Sequence, residues 1–194
     1  MDRRYLIVVF GTLFFFQSFI SLTEAEEEAR AMVKVVLTID HTISIAPLDV
    51  VVDAGVLDTG DAAVPIVYRV DSNSENIALS AVVTNLYKAD DPSSVEVEAI
   101  PVNLSNGVAM RAQHASQAAG GDGIASYVGT DTITTNEDAM EGYLTEELAF
   151  ESSQNGRFSQ DVEIVPTWTS ADPEQPEGEY SGYVVVRAMV MDQT

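Results

Sequence analysis

The chain of 194 residues has no cysteine. Thiol catalysis, thiolate metal sites and a disulfide framework are therefore excluded together, and the core must hold by burial and hydrogen bonding. Histidine is nearly as scarce. His41 and His114 are the only two, too few for an ordinary zinc site, and no Gly-x-Ser-x-Gly elbow accompanies either. Bases are few as well: nine Lys and Arg stand against 31 Asp and Glu, a formal net charge of −22. A polyanion of that density repels phosphate backbones and anionic bilayers, so neither nucleic acid nor a membrane surface is an expected partner. No phosphate-cradling glycine loop followed by Lys-Ser/Thr occurs. Glycine and proline are at ordinary levels, which removes collagen-like and low-complexity classes.

What is abundant is carboxylate, and abundance weakens its meaning. Among 31 acids some proximity is expected by chance. A working acid–base pair needs one member raised by burial, and no acid here sits in an apolar run. Asp58-Thr59-Gly60-Asp61, Asp90-Asp91 and Gly120-Gly121-Asp122-Gly123 offer oxygen ligands. They match neither an EF-hand loop nor a repeated Gly-Gly-x-Gly-x-Asp array, and acidic surface turns explain them without calcium. No catalytic residue, cofactor or metal is expected. Asn103-Leu104-Ser105 fits the N-glycosylation sequon, a match frequent by chance. Trp168, alone in an alternating run, is expected in the core rather than as a sugar platform.

At the N-terminus Arg3 and Arg4 precede a charge-free stretch, Tyr5 to Leu22, and Thr23-Glu24-Ala25 leads into Glu26-Glu27-Glu28. That is the charge order of a secretory signal peptide, residues 1–25. Gln17, Ser18 and Ser21 dilute its second half and favour cleavage over a retained anchor. No later run is long enough to span a bilayer, so the mature chain is expected to be exported without a membrane segment.

From Val33 onward the dominant period is two, the signature of half-buried strands. Val33, Val35, Leu37 and Ile39 share one face, which Ile43 and Ile45 continue, with His41 as the one interruption. Leu48, Val50 and Val52 predict a short second strand. Val64 to Val70, Ile77 to Val83, Val95 with Val97, Val162 to Trp168, and Tyr180 to Met191 predict the rest. Between Asn106 and Asp138 the periodicity fails. A long loop is expected there, polar and glycine-rich over Ala112 to Gly123, with a short helix near Asp138 to Glu147. Short alternating strands separated by turns predict an all-β sandwich in a single domain, residues 46–194, preceded by an extension, residues 26–45. On periodicity alone, the Ala31–Ile39 stretch is either an ordinary first strand or a segment that inserts into a neighbour.

The run from Pro176, reading P-x-G-x-Y-S-G-x-V-x-V, resembles the last strand of chaperone–usher fimbrial subunits. The order of segments is similar to the alternative (alpha-class) branch of that family, the colonisation-factor and common-pilus type. In that order a signal peptide precedes a valine-rich N-terminal strand. A segment like Ile43-Ser44-Ile45-Ala46-Pro47-Leu48 follows, then a cysteine-free body, and a strand like Val162-Glu163-Ile164-Val165-Pro166 precedes the closing one. The extreme acidity and the Ala112–Gly123 stretch depart from the pattern.

The resemblance implies an incomplete immunoglobulin-like β-sandwich that a periplasmic chaperone holds and an outer-membrane usher exports. It implies polymerisation with copies of itself or related subunits by donor-strand exchange, with Val33, Val35, Leu37 and Ile39 as the inserting residues. Tyr180, Gly182, Val184, Val186 and Val190 would form the closing strand. The product would be a cell-surface fimbria serving adhesion or biofilm formation. Two rival expectations stand beside it: a secreted monomeric module binding carbohydrate or calcium, and a matrix-fibre subunit assembled without chaperone and usher.

Overall fold

The structure is a computed structural model that describes residues 34–57, 59–93, 97–112, 115–117, 123–134 and 139–191, with the backbone alone for 115–117. The expected signal segment, residues 1–25, lies outside the described residues, as do Val33, Asp58, Val95, His114 and the glycines of 120–121. Contacts divide the chain between Ile39 and Asp40.

Among the described residues there are strands and no helix. In chain order they are β1 Ile43–Pro47, β2 Gly60–Ala63, β3 Ile66–Ser72, β4 Asn76–Thr84, β5 Tyr87–Lys88, β6 Val108–Ala112, β7 Ala115–Gln117 and β8 Ile124–Ala125. There follow β9 Tyr127–Thr134, β10 Ala139–Thr145, β11 Leu148–Ser152, β12 Phe158–Val165, β13 Thr167–Ser170, β14 Tyr180–Ser181 and β15 Val184–Val190. One sheet has the order β1-β3-β12-β6-β8. A second large sheet runs β7-β11-β4-β10-β9, with β15 along the remaining side of β4, and two-stranded sheets pair β13 with β2 and β14 with β5. Every pairing is antiparallel. The fold is an all-β sandwich.

Alternation places the core. Tyr68 and Val70 of β3, Val108 and Met110 of β6, and Phe158, Val162 and Ile164 of β12 point from one sheet. They meet Ile77, Leu79, Ala81 and Val83 of β4, Leu148 and Phe150 of β11, and Val186 of β15 from the other. Central β4 is buried on both faces: Ala78, Ser80, Val82 and Thr84 are closed off too. On one side it pairs with β11 along its first half and β10 along its second. At the junction the Thr145 hydroxyl accepts the Ala81 N–H at 3.0 Å, filling a gap in the ladder. Such a substitution matters because an unpaired buried N–H costs about 1–3 kcal/mol.

Trp168 is in the core, 3 % exposed, and its indole N–H donates to the Thr84 carbonyl at 2.9 Å. Trp168→Phe keeps most of the apolar volume and removes that donor. The expected cost is about 1–3 kcal/mol, read as a lower denaturation midpoint.

Several expectations need correction. The long first strand is not there: Lys34 to Thr42 belong to no strand, and only Ile43–Pro47 is paired. The reason is the partner. β3 ends at Ser72, and the Asn73 N–H to Thr42 carbonyl bond (3.2 Å) is the last that its end can make. Consequently His41 is an exposed residue before β1 and not a strand residue. Leu48 to Val52 form no strand for the same reason. Beyond the Leu48 N–H to Val67 carbonyl bond (2.9 Å) the chain runs past the start of β3, leaving Val50 93 % exposed. Val97 lies in a bend, outside any strand.

The region read as a loop holds β6 to β9, and the expected helix is β10. In β9 the alternating residues are Gly129, Thr130, Asp131 and Thr132, mostly solvent-exposed, so no apolar period marks it. For β10 the helix-compatible composition of Met140, Glu141 and Leu144 is overridden by pairing with β9 on one side and β4 on the other.

Candidate functional site

Among the described residues, two strands leave an edge without a ladder partner on the same side of the sandwich. β1 closes one sheet, β15 closes the other, and the two lie side by side. In β15 the Tyr183 carbonyl accepts from Thr84 N–H at 3.0 Å and the Met191 N–H donates to Asn76 at 3.1 Å. Odd-numbered residues therefore exchange with β4, and Val184, Val186, Ala188 and Val190 turn their main-chain groups outward. In β1 the bonds of Thr42 and Leu48 to β3 make the even residues the paired ones, so Ile43 and Ile45 face outward. Where the edges meet, the Tyr68 hydroxyl donates to the Val184 carbonyl at 2.7 Å.

The inner side chains along this opening are incompletely covered. Ile43, Ile45, Val184, Ala188 and Val190 are only half-buried, whereas Val70, Val162 and Ile164 deeper in the same core are fully closed. The β1–β15 side is therefore the less covered margin of the core.

The other edges are poorer pairing surfaces. β8 is two residues long and β7 three, and β9 carries Asp131 and four threonines or glycines. β15 is seven residues, VVVRAMV, without proline or lysine. Its one charge, Arg187, lies on the outer face and is paired with Asp131. Edge strands of soluble proteins are normally blunted by inward charges, proline or shortness, and β15 has none of these.

The closing-strand residues divide by role. Tyr180 pairs with Lys88, and its hydroxyl donates to the Pro176 carbonyl at 2.9 Å, which ties the acidic 172–178 loop to the body. Gly182 sits where a Cβ would come within 2.6 Å of the Asn85 carbonyl oxygen, so glycine is required for the chain to pass from β14 to β15. Val184, Val186 and Val190 form the inner face of the edge strand.

Of the expected inserting residues, Val33 lies outside the described residues. Val35, Leu37 and Ile39 are 87 %, 84 % and 76 % exposed, in a stretch assigned to no strand. These apolar side chains are spaced two apart along the stretch, the period that a strand would present on one face. No family model matches this chain, and no curated protein matches it.

Other groups organise the surface. Arg69 lies 3.0 Å from Asp71 and 3.4 Å from Asp161, and the Ser159 hydroxyl is 2.5 Å from Asp71. The Arg69 guanidinium, then Ser159, holds the Asp71 carboxyl below the usual range. These are exposed ion pairs, each worth about 0–1 kcal/mol. Asn103 of the sequon is engaged in the fold, donating to the Thr169 hydroxyl at 3.0 Å and accepting from Ser105 N–H at 3.1 Å. Among the described residues no three His, Asp or Glu side chains converge as metal ligands. None of their helices is long and apolar enough to cross a membrane, since they contain no helix.

Which strands border the less covered margin was not legible in the sequence, where an incomplete sandwich was expected only from the family resemblance. The valine alternation of Tyr180 to Met191 says strand and says nothing of which neighbours it has.

Proposed function

We propose that this chain is a strand-donating subunit of an extracellular fibre, with Val35, Leu37 and Ile39 of one copy entering the β1–β15 opening of the next. The observation that carries the reading is the pairing of a lack with a surplus. The sandwich has outward main-chain groups at Ile43, Ile45, Val186, Ala188 and Val190 above half-covered inner side chains. The same chain carries an apolar face of period two outside any strand. An added strand supplies hydrogen bonds through its backbone and fills the core through alternate side chains. Each inserted residue contributes about 1.5–3 kcal/mol by burial.

The resemblance of the Tyr180-Ser181-Gly182 strand to chaperone–usher fimbrial subunits adds a route. A periplasmic chaperone covers the opening in transit, an outer-membrane usher exports the subunit, and the fibre serves adhesion or biofilm formation. A matrix fibre built without those two partners rests on the same opening.

Deleting residues 26–39 tests the reading. The expected product melts cooperatively and stays monomeric, and a peptide of residues 31–41 at about 100 times its Kd raises its stability by about 2.7 kcal/mol. A truncated chain that still forms fibres overturns it.

A further inference from the structure

Strand donation between copies has a competitor within each copy. Val35, Leu37 and Ile39 share parity with Ile43 and Ile45, the residues whose main-chain groups face outward from β1. A fold-back over Asp40-His41-Thr42 would pair Ile39 with Ile43 and Leu37 with Ile45, with all five side chains inward. Three-residue connections are common in hairpins. Periodicity therefore permits a chain to fill its own opening, which would end polymerisation.

The connector is not free to make that turn. Asn73, at the turn after β3, holds it from two sides: its side-chain oxygen accepts the Thr42 N–H at 2.8 Å, and its side-chain amide donates to the Asp40 carbonyl at 2.9 Å. Its own N–H donates to the Thr42 carbonyl at 3.2 Å. A hairpin bend at 40–42 must reorient the Asp40 carbonyl and the Thr42 amide and lose both side-chain bonds. We infer that Asn73 is a positioning residue that keeps Asp40–Thr42 extended, so that the donor segment is available to a second copy and does not fold back into its own opening. This rests on the strand-donation reading.

The absence of cysteine makes the test clean. Leu37→Cys and Ala188→Cys introduced together into the full mature chain are its only thiols, and oxidation records which copy's segment occupies the opening. With Asn73 intact, a ladder of disulfide-linked multimers is expected on a non-reducing gel. With Asn73→Ala, the ratio of intrachain-linked monomer to ladder is expected to rise about tenfold, the equivalent of two exposed hydrogen bonds. Asn73→Asp keeps the acceptor for Thr42 and loses the donor to Asp40, so a smaller shift in the same direction is expected. It also serves if the alanine variant does not fold. An unchanged ratio in the folded variants overturns the role of Asn73 alone. A parent chain that gives no multimer ladder overturns strand donation itself, and the inference with it.

Discussion

Under the proposed strand donation, replacing Leu37 by Asp is expected to abolish fibre formation while leaving the folded domain intact. Leu37 is 84 % exposed and outside any strand, so the change removes nothing from the core. In an assembled pair it loses about 1.5–3 kcal/mol of burial and places a carboxylate in an apolar slot, a further penalty of at least about 2 kcal/mol. Together these lower the association constant by about 300-fold or more. Val36→Asp is the control. Val36 is 72 % exposed and of opposite parity, so in an inserted strand it faces solvent and should leave assembly nearly unchanged. Sedimentation and negative-stain microscopy of the two variants read the difference. Equal loss in both would mean that the segment acts by net charge and not as a strand with an inner face.

Phe158→Ala is expected to destabilise the domain by about 3–5 kcal/mol. Phe158 opens β12 opposite Ser72 of β3, is fully buried, and lies in the core shared by both sheets. Against a typical total of about 5–15 kcal/mol, the loss is a large part of what holds the fold. Ile43→Ala should cost less than Phe158→Ala, because Ile43 is half-buried at the opening and part of its surface already meets water. The comparison is best made by urea denaturation of the chain lacking residues 26–39. There, strand donation cannot add stability through mass action. If Ile43→Ala cost as much as Phe158→Ala, the β1–β15 side would be sealed, contrary to its exposure.

Strands with one wet face and one buried face were legible because alternation survives translation into sequence. Ile77, Leu79, Ala81 and Val83 lie on the core face of β4, and Val162 and Ile164 on that of β12, as their period requires. Trp168 in the core follows from the same pattern. β9 and β10 were not legible. An edge strand with two mostly solvated faces has no apolar period, and β10 becomes a strand because β4 and β9 stand beside it. The stretch from Lys34 to Thr42 failed in the opposite sense: its alternation is strong, and no strand forms because β3 runs out at Asn73.

By itself the sequence determined the fold class, the exclusion of thiol chemistry and the apolar face at Val35, Leu37 and Ile39, since these depend on composition and on a period of two. Only the tertiary structure decided which strands lie at sheet edges among the described residues, that β1 and β15 lie side by side, and that Asn73 reaches Asp40 and Thr42 from 33 and 31 residues away. A pattern along the chain specifies which side of a strand is apolar. Whether that side is covered depends on pairings between residues distant in sequence, which no local period records.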